Sequence, residues 1–175
     1  LRVVEPLFPK KLRQRAIDAA IAFTDERLNG EDGLGAIYPP MANIVMMYEA
    51  LGKGPDFPPR AITRKGIDKL LVIGEHEAYC QPCVSPIWDT SLAVQAMMET
   101  GADGGAACDW LKERQILDVV GDWAVKRPGL RPGGWAFQYN NAHYPDVDDT
   151  AVVGMALHRA APARYAESIA RAAEW

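Results

Sequence analysis

The sequence predicts an all-α protein of modest helices joined by long turns. Three observations carry that expectation. Apolar residues recur at a spacing near 3.6 in segment after segment, and no stretch alternates apolar and polar long enough for a convincing strand. The 15 Gly and 13 Pro of the 175 residues fall between those segments, where they punctuate. A unit of helix plus aromatic turn recurs along the chain, which points to a toroid or solenoid of helix pairs.

The elements follow in order. Lys11 to Leu28 places Leu12, Ala16, Ala19, Ala20 and Phe23 on one face, starting after Pro9 and stopping at Asn29-Gly30. Met41 to Leu51 is a second helix, after Pro39-Pro40 and before Gly52. Ile62 to Ile73 is a third, closed by Gly74. Thr90 to Thr100 is a fourth, with Leu92, Ala93, Ala96 and Met97 inward. Ala106 to Trp123 holds one or two more, interrupted near Gly121, and Thr150 to Ala160 is another, stopped by Pro162. A last one runs from Ala163 to Trp175. The connections Gly30 to Pro40, Gly52 to Pro59, Glu77 to Pro86 and Lys126 to Pro145 are long for helix pairs, and loops of that length usually carry function.

Composition narrows the function. Apolar residues at 49% and charged residues at 24% are enough for a packed core. The net charge of −4 argues against a nucleic-acid binder, which presents a basic face. No apolar run has the length of a membrane span. Three Cys exclude a pure disulfide scaffold. Cys80-Gln81-Pro82-Cys83 has the C-x-x-C spacing, but no second pair accompanies it as a structural zinc site requires, and no βαβ pattern gives it a redox setting. His143 stands in a loop and receives no role.

The most informative run is Asp146-Val147-Asp148-Asp149-Thr150-Ala151, three carboxyls just ahead of a helix. Carboxyls that close cannot all ionise cheaply, so one keeps its proton near neutral pH. The helix N-terminus would stabilise the anion left behind. That combination describes a strong general acid. The same spacing also fits a capping box, with Asp146 and Asp149 as its members. Just upstream lies an aromatic loop, residues 133–144, with Trp135, Phe137, Tyr139 and Tyr144. Such rings either pack the loop or line an apolar cavity able to stabilise a cation. Ser85-Pro86-Ile87-Trp88-Asp89-Thr90 sets another Trp and Asp at a helix start, where Asp89 reads most simply as a cap.

Taken together, these motifs resemble the squalene-hopene cyclase family. The Asp146–Ala151 run resembles its DxDD-T-A acid motif, and Trp110…Gln115…Gly121-x-Trp123 its QW repeat. Residues 133–139 and 85–90 are similar to stretches of the same family in the same order. DxDD alone also occurs in class II diterpene cyclases; oxidosqualene cyclases carry a different acid motif, absent here. The resemblance implies two α/α barrels, one inserted in the other, with residues 1–91 ending the inserted barrel and 92–175 beginning the long segment of the acid-bearing one. It implies a cofactor-independent cyclisation of squalene, with no metal. Asp148 would protonate a terminal alkene, with Asp146 and Asp149 holding its proton. Phe137 would stabilise a cation, and Trp88, Asp89, Gln138, Tyr144, Ile37, Tyr38 and Pro39 would line the cavity. Tyr38 replaces the Gln associated with that position, which bears on the product and not on the reaction class.

The resemblance also implies a peripheral, monotopic protein of a bacterial membrane, drawing its lipid from the membrane surface, with a homodimer as its oligomer. The segment Leu1 to Pro9, carrying Leu1, Val3, Val4, Leu7 and Phe8, either lies near that surface or packs in the core. The QW repeat implies a clamp in which Gln caps a neighbouring helix and stacks on the Trp. An earlier copy, Phe23…Leu28…Gly33-Leu34, has lost both groups, and Arg171 to Trp175 opens a third. A chain so much shorter than the family enzyme is expected to be an internal fragment, inactive alone. Other readings are a class II cyclase for a different polyprene, an α/α-barrel glycosidase with two separated acids, and a helical-repeat scaffold whose Asp run only caps. The tight acid triplet beside an apolar loop argues against the glycosidase.

Overall fold

The computed structural model describes residues 7–28, 30, 33–138 and 141–175. Leu1, Val3, Val4, Asn29 and Tyr139, named above, lie outside the described residues. Helices dominate: α1 Lys10–Glu26, α2 Tyr38–Ala50, α3 Pro58–Lys69, α4 Pro86–Glu99, α5 Gly105–Lys112, α6 Val147–Ala160 and α7 Ala166–Glu174. Two small antiparallel pairs join them: β1 Leu71–Ile73 with β2 Ala78–Cys80, and β3 Trp135–Ala136 with β4 Pro145–Asp146. No described helix is long and apolar enough to cross a membrane.

The helix starts follow from local chemistry. Pro39-Pro40, Pro58-Pro59 and Pro86 occupy first turns, where a missing N–H costs nothing. Ser85 caps α4 by accepting the Trp88 N–H at 2.9 Å, so the cap is Ser85 and not Asp89. α3 stops at Lys69, earlier than the periodicity predicts, because Leu71-Val72-Ile73 turns back as a strand about the Gly74–Glu77 turn. Three or two residues per strand are too few to show an alternation, which is why the sequence concealed both pairs.

The main core is shared by α4, α5, α6 and α7 around Trp135, and comprises Ile87, Val94, Cys108, Leu111, Trp135, Val153, Ala156, Leu157 and Tyr165. Trp135 is fully buried and its indole N–H donates to the Leu111 carbonyl at 2.7 Å, so its apolar bulk is buried without an unpaired polar atom. A smaller cluster, Met41, Ile44 and Tyr48, holds α2 against α3, where Gly66 lets the backbones close on Gly33 and Met41.

Two predicted faces come out differently. α1 buries none of its residues, and Leu12 and Phe23 are exposed. In α4 the buried face is Ile87, Ser91 and Val94, whereas Leu92, Ala93, Ala96 and Met97 are exposed. Both helices are apolar on a face that these residues do not cover. Where a helix is apolar on two sides, periodicity alone cannot choose the inner one.

The QW-like unit is visible as a clamp. The Gln115 amide, buried after α5, donates to the Ser168 carbonyl of α7 at 2.9 Å and to the Gly133 carbonyl at 2.7 Å. Trp123 meets Trp175 edge to face at 6.0 Å. Gly133 and Gly134 thread between α6 and α7, since a Cβ on Gly133 would stand 2.4 Å from the Arg171 carbonyl oxygen and one on Gly134 2.7 Å from Thr150 Oγ1. The Gln thus bonds an adjacent helix, as the resemblance implies, while the Trp it serves packs on a second Trp.

Candidate functional site

Three helix starts meet beside the aromatic loop. Ile37 forms an isolated bridge with Cys83, and the Tyr38 N–H donates to the Pro82 carbonyl at 2.9 Å, so the start of α2 is tied to the lead-in of α4. The Ser85 hydroxyl, which caps α4, also donates to the Phe137 carbonyl at 2.6 Å. Phe137 follows β3, and β3 pairs with β4 in the register Trp135–Asp146. Asp146 ends β4 and caps α6, accepting the Asp149 N–H at 2.8 Å. Thr150 completes the join, its hydroxyl accepting the Trp135 N–H at 3.0 Å.

This arrangement forms an open-sided cavity of about 560 Å³. Of the residues singled out in the sequence, Ile37, Phe137, Gln138, Tyr144 and Asp146 line it. Tyr38, Pro39, Trp88, Asp89, Asp148 and Asp149 do not. Tyr38 and Pro39 are exposed at the start of α2, Trp88 is half-buried and Asp89 exposed at the start of α4. Asp148 is exposed on the first turn of α6. The wall also holds Phe23, Arg27, Leu34 and Pro40, which the sequence reading did not assign to the site.

The three carboxyls sit in different environments. Asp149 is 2% exposed, and among the described residues its Oδ1 has no hydrogen-bond partner. Burial pushes its carboxyl up from 3.8 to about 8, helped by a hydrogen bond to Asp146 and by the charges of Asp146, Asp148 and Asp89. Asp149 therefore keeps its proton at neutral pH. Asp146 is half-buried at the cavity wall and Asp148 is open. Capping and proton retention, competing readings of the sequence, are both present: Asp146 is the cap, and Asp149 three residues on is the group it helps to protonate.

A second polar group borders the same cavity. Arg27, just past α1, is 6% exposed and grips Asp122 with two bonds, Nε to Oδ2 at 3.0 Å and Nη2 to Oδ1. The hydrogen bond from Arg27 holds the Asp122 carboxyl below its usual range, and the neighbouring Tyr144 phenol acts in the same direction. His143 stands 3.8 Å from Glu26. No sequence motif announces this group, because Arg27 and Asp122 alone lie 95 residues apart.

Helices packed around a shared core, with a carboxyl cluster at one helix start against an aromatic-walled cavity, define the class as all-α. The comparisons place it more closely. The family model for the squalene-hopene cyclase C-terminal domain matches residues 84–175, and that for the N-terminal domain matches residues 1–76. The chain belongs to the squalene-hopene cyclase family. A probable squalene–hopene cyclase of Sinorhizobium fredii is 67% identical over all of this chain and 28% of its own length. The squalene–hopene cyclase of Bradyrhizobium diazoefficiens is 64% identical over the same shares. That of Alicyclobacillus acidocaldarius is 41% identical over 83% of this chain and 24% of its own length. The chain spans about 28% of the length of the first two relatives.

Proposed function

We propose that the full-length protein cyclises squalene to a hopene-type pentacyclic triterpene, without a cofactor, and that residues 146–149 start the reaction. The observation that carries this reading is the Asp146–Asp148–Asp149 cluster, with a proton retained on buried Asp149, beside the cavity that Phe137 and Tyr144 line. An alkene is a very weak base, so its protonation needs a strong acid shielded from water, and Asp148, exposed in this span, takes that cover from the rest of the full-length protein.

Burial divides the labour. Asp149 is too covered to touch a substrate and serves as the proton-holding partner. Asp148, accessible on the same turn, is the donor. The proton that Asp149 holds passes to Asp148, whose O–H bond then breaks as a C–H bond forms at the terminal alkene, leaving the electron pair on the Asp148 carboxylate. The cation then passes along the folded chain, ring by ring, until loss of a proton to water ends the sequence with no net oxidation. Phe137 offers its ring face to a cationic centre. Ile37, Gln138 and Tyr144 shape the wall, and Tyr38, Pro39, Trp88 and Asp89 join the substrate surface only as the rest of the full-length protein closes over them. Exposed Leu7, Phe8 and Leu12, with Lys10, Lys11 and Arg13 beside them, suit contact with a membrane surface from which the lipid enters. The division into residues 1–91 and 92–175, from two barrels, belongs to the same proposal, as does inactivity of this span alone, since the apolar faces of α1 and α4 call for cover from the rest of the protein.

The test is Asp148→Asn in the full-length protein, incubated with squalene, with products identified by mass spectrometry. Cyclised product should disappear while the far-ultraviolet circular dichroism is unchanged. Retained hopene formation would overturn the assignment of Asp148.

A further inference from the structure

The cavity is walled from both sides of the β1–β2 hairpin in sequence: Phe23, Arg27 and Leu34 come from before it, Phe137 and Asp146 from after it. One tie between the two sides is the Ile37–Cys83 bridge at the start of α2. The end of α1 needs another, because α1 buries none of its own residues. The repeat shows what supplies it. In the second copy, Arg114 stacks 3.7 Å from the Trp110 ring centroid and donates to the Trp110 carbonyl at 2.8 Å, and Gln115 beside it reaches Gly133 and Ser168. In the first copy, Arg27 stacks 3.5 Å from the Phe23 centroid and donates to the Phe23 carbonyl at 2.9 Å. Leu28 stands at the Gln position and has no side-chain donor. The long-range contact passes to Arg27 itself, which reaches Asp122.

Both partners are fixed. Arg27 is 6% exposed; its Nε donates to Asp122 Oδ2 at 3.0 Å and its Nη2 to Oδ1, while Nη1 serves Glu26 at 2.9 Å as well as the Phe23 carbonyl. The Asp122 N–H donates to the His143 carbonyl at 3.2 Å, and Gly121 lies so close that a Cβ there would stand 2.2 Å from the same oxygen. His143 leads within a few residues to Asp146, the cap of α6. One ion pair and one backbone bond thus connect the end of α1 to the segment that delivers the acid turn. The two-bond fork is directional, so it sets a position and not only a proximity. It also places a carboxylate at contact with the guanidinium, leaving no net charge from the pair on the cavity wall.

We propose that Arg27 and Asp122 are positioning residues: their two-bond pair fixes the end of α1 against the segment leading to Asp146 and so holds the shape of the cavity that both sides wall. This rests on the cyclisation reading for its chemical consequence, since a cavity of altered shape lets a cation lose its proton before the last ring closes. Neither Arg27 nor Asp122 gives or takes the reacting proton.

The experiment uses the full-length protein with squalene. Removing Asp122 alone would strand a buried guanidinium, so the pair is replaced together, Arg27→Met with Asp122→Leu, an apolar exchange that often leaves stability unchanged. Met and Leu fill the space but impose no direction. The double variant should keep the thermal midpoint of wild type and raise the fraction of incompletely cyclised product several-fold. Amides of residues 23–28 and 141–146 should exchange with deuterium several-fold faster. Asp122→Glu keeps both charges and lengthens one arm by a methylene. It should shift the product ratio in the same direction, and it decides the matter if the double variant does not fold. A wild-type product ratio in Asp122→Glu, whatever its melting temperature, would overturn the proposal and leave the pair as a structural contact. A wild-type protein making no cyclised product would sink the cyclisation reading. Exchange would then still decide the positioning role, because wild-type rates at residues 23–28 in the double variant would overturn it.

Discussion

Replacing Gln115 by Leu tests the clamp that holds the loop between Gln115 and the acid-bearing strand. Leu keeps most of the volume and removes the donor. Two carbonyls then lose a partner, with Gln115 itself only 8% exposed. The Ser168 carbonyl lies inside α7 and keeps its helical bond, so its loss is about 0.5–1 kcal/mol. The Gly133 carbonyl is left buried and costs about 1–3 kcal/mol. The sum, about 1.5–4 kcal/mol, corresponds to about a 10-fold to several-hundred-fold change in a local opening equilibrium. Hydrogen–deuterium exchange on the full-length protein reads this directly, and avoids relying on reversible unfolding of a large chain. Amides of α7 and of residues 133–136 should exchange faster by that factor, with α2 and α3 unaffected. Exchange in α7 within about threefold of wild type would refute the reasoning, because a clamp worth under 1 kcal/mol is no clamp.

Two further outcomes follow from the site. With Asp149 raised to about 8 in the folded protein, the unfolded chain releases its proton near the ordinary value while the native state keeps it, so stability falls as pH climbs from about 4 to about 8. Asp149→Asn should flatten that slope, read as denaturant midpoints at pH 5 and pH 8; parallel profiles for the two proteins would show that Asp149 ionises normally. Gly121→Ala pushes a Cβ to 2.2 Å from a backbone oxygen that has no side chain to yield, and should cost about 1–3 kcal/mol or more and loosen Tyr144. Gly154→Ala, in the middle of α6 with nothing within 4 Å, should instead stabilise by about 0.5–1 kcal/mol; a matching loss of melting temperature in both would remove the steric argument.

What the sequence made legible was local. Prolines marked three helix starts, and the Asp run stood at a fourth, because caps and first turns are decided within a few residues. The inner face of α4 was not legible, since Leu92 and Val94 are equally apolar and only packing on α6 separates them. Nor was the Arg27–Asp122 contact, made across 95 residues. Asp89 was readable as a cap, but Ser85 does that work, and Asp89 instead adds its charge to the field on Asp149. That coupling depends on how two helix starts are brought together, which β3, β4 and the Ser85–Phe137 bond accomplish and no spacing rule describes.

The acid itself turns on a competition whose sides differ in size. The start of α6 favours an anion, and a helix terminus contributes about 0.3–1 kcal/mol, under one pH unit for a carboxyl. Burial, the bond to Asp146 and three neighbouring carboxylates act the other way and carry Asp149 from 3.8 to about 8. Exclusion of water, the largest of these causes, thus outweighs the dipole. The proton on this cluster is therefore held by packing as much as by the carboxyls. Thr150 against Trp135, and Gly134 where a Cβ would strike Thr150, keep water from the turn that carries Asp149. A side chain at Gly134 should then strip the cluster of its stored proton without touching any of the three aspartates, by letting the carboxyl of Asp149 ionise at neutral pH.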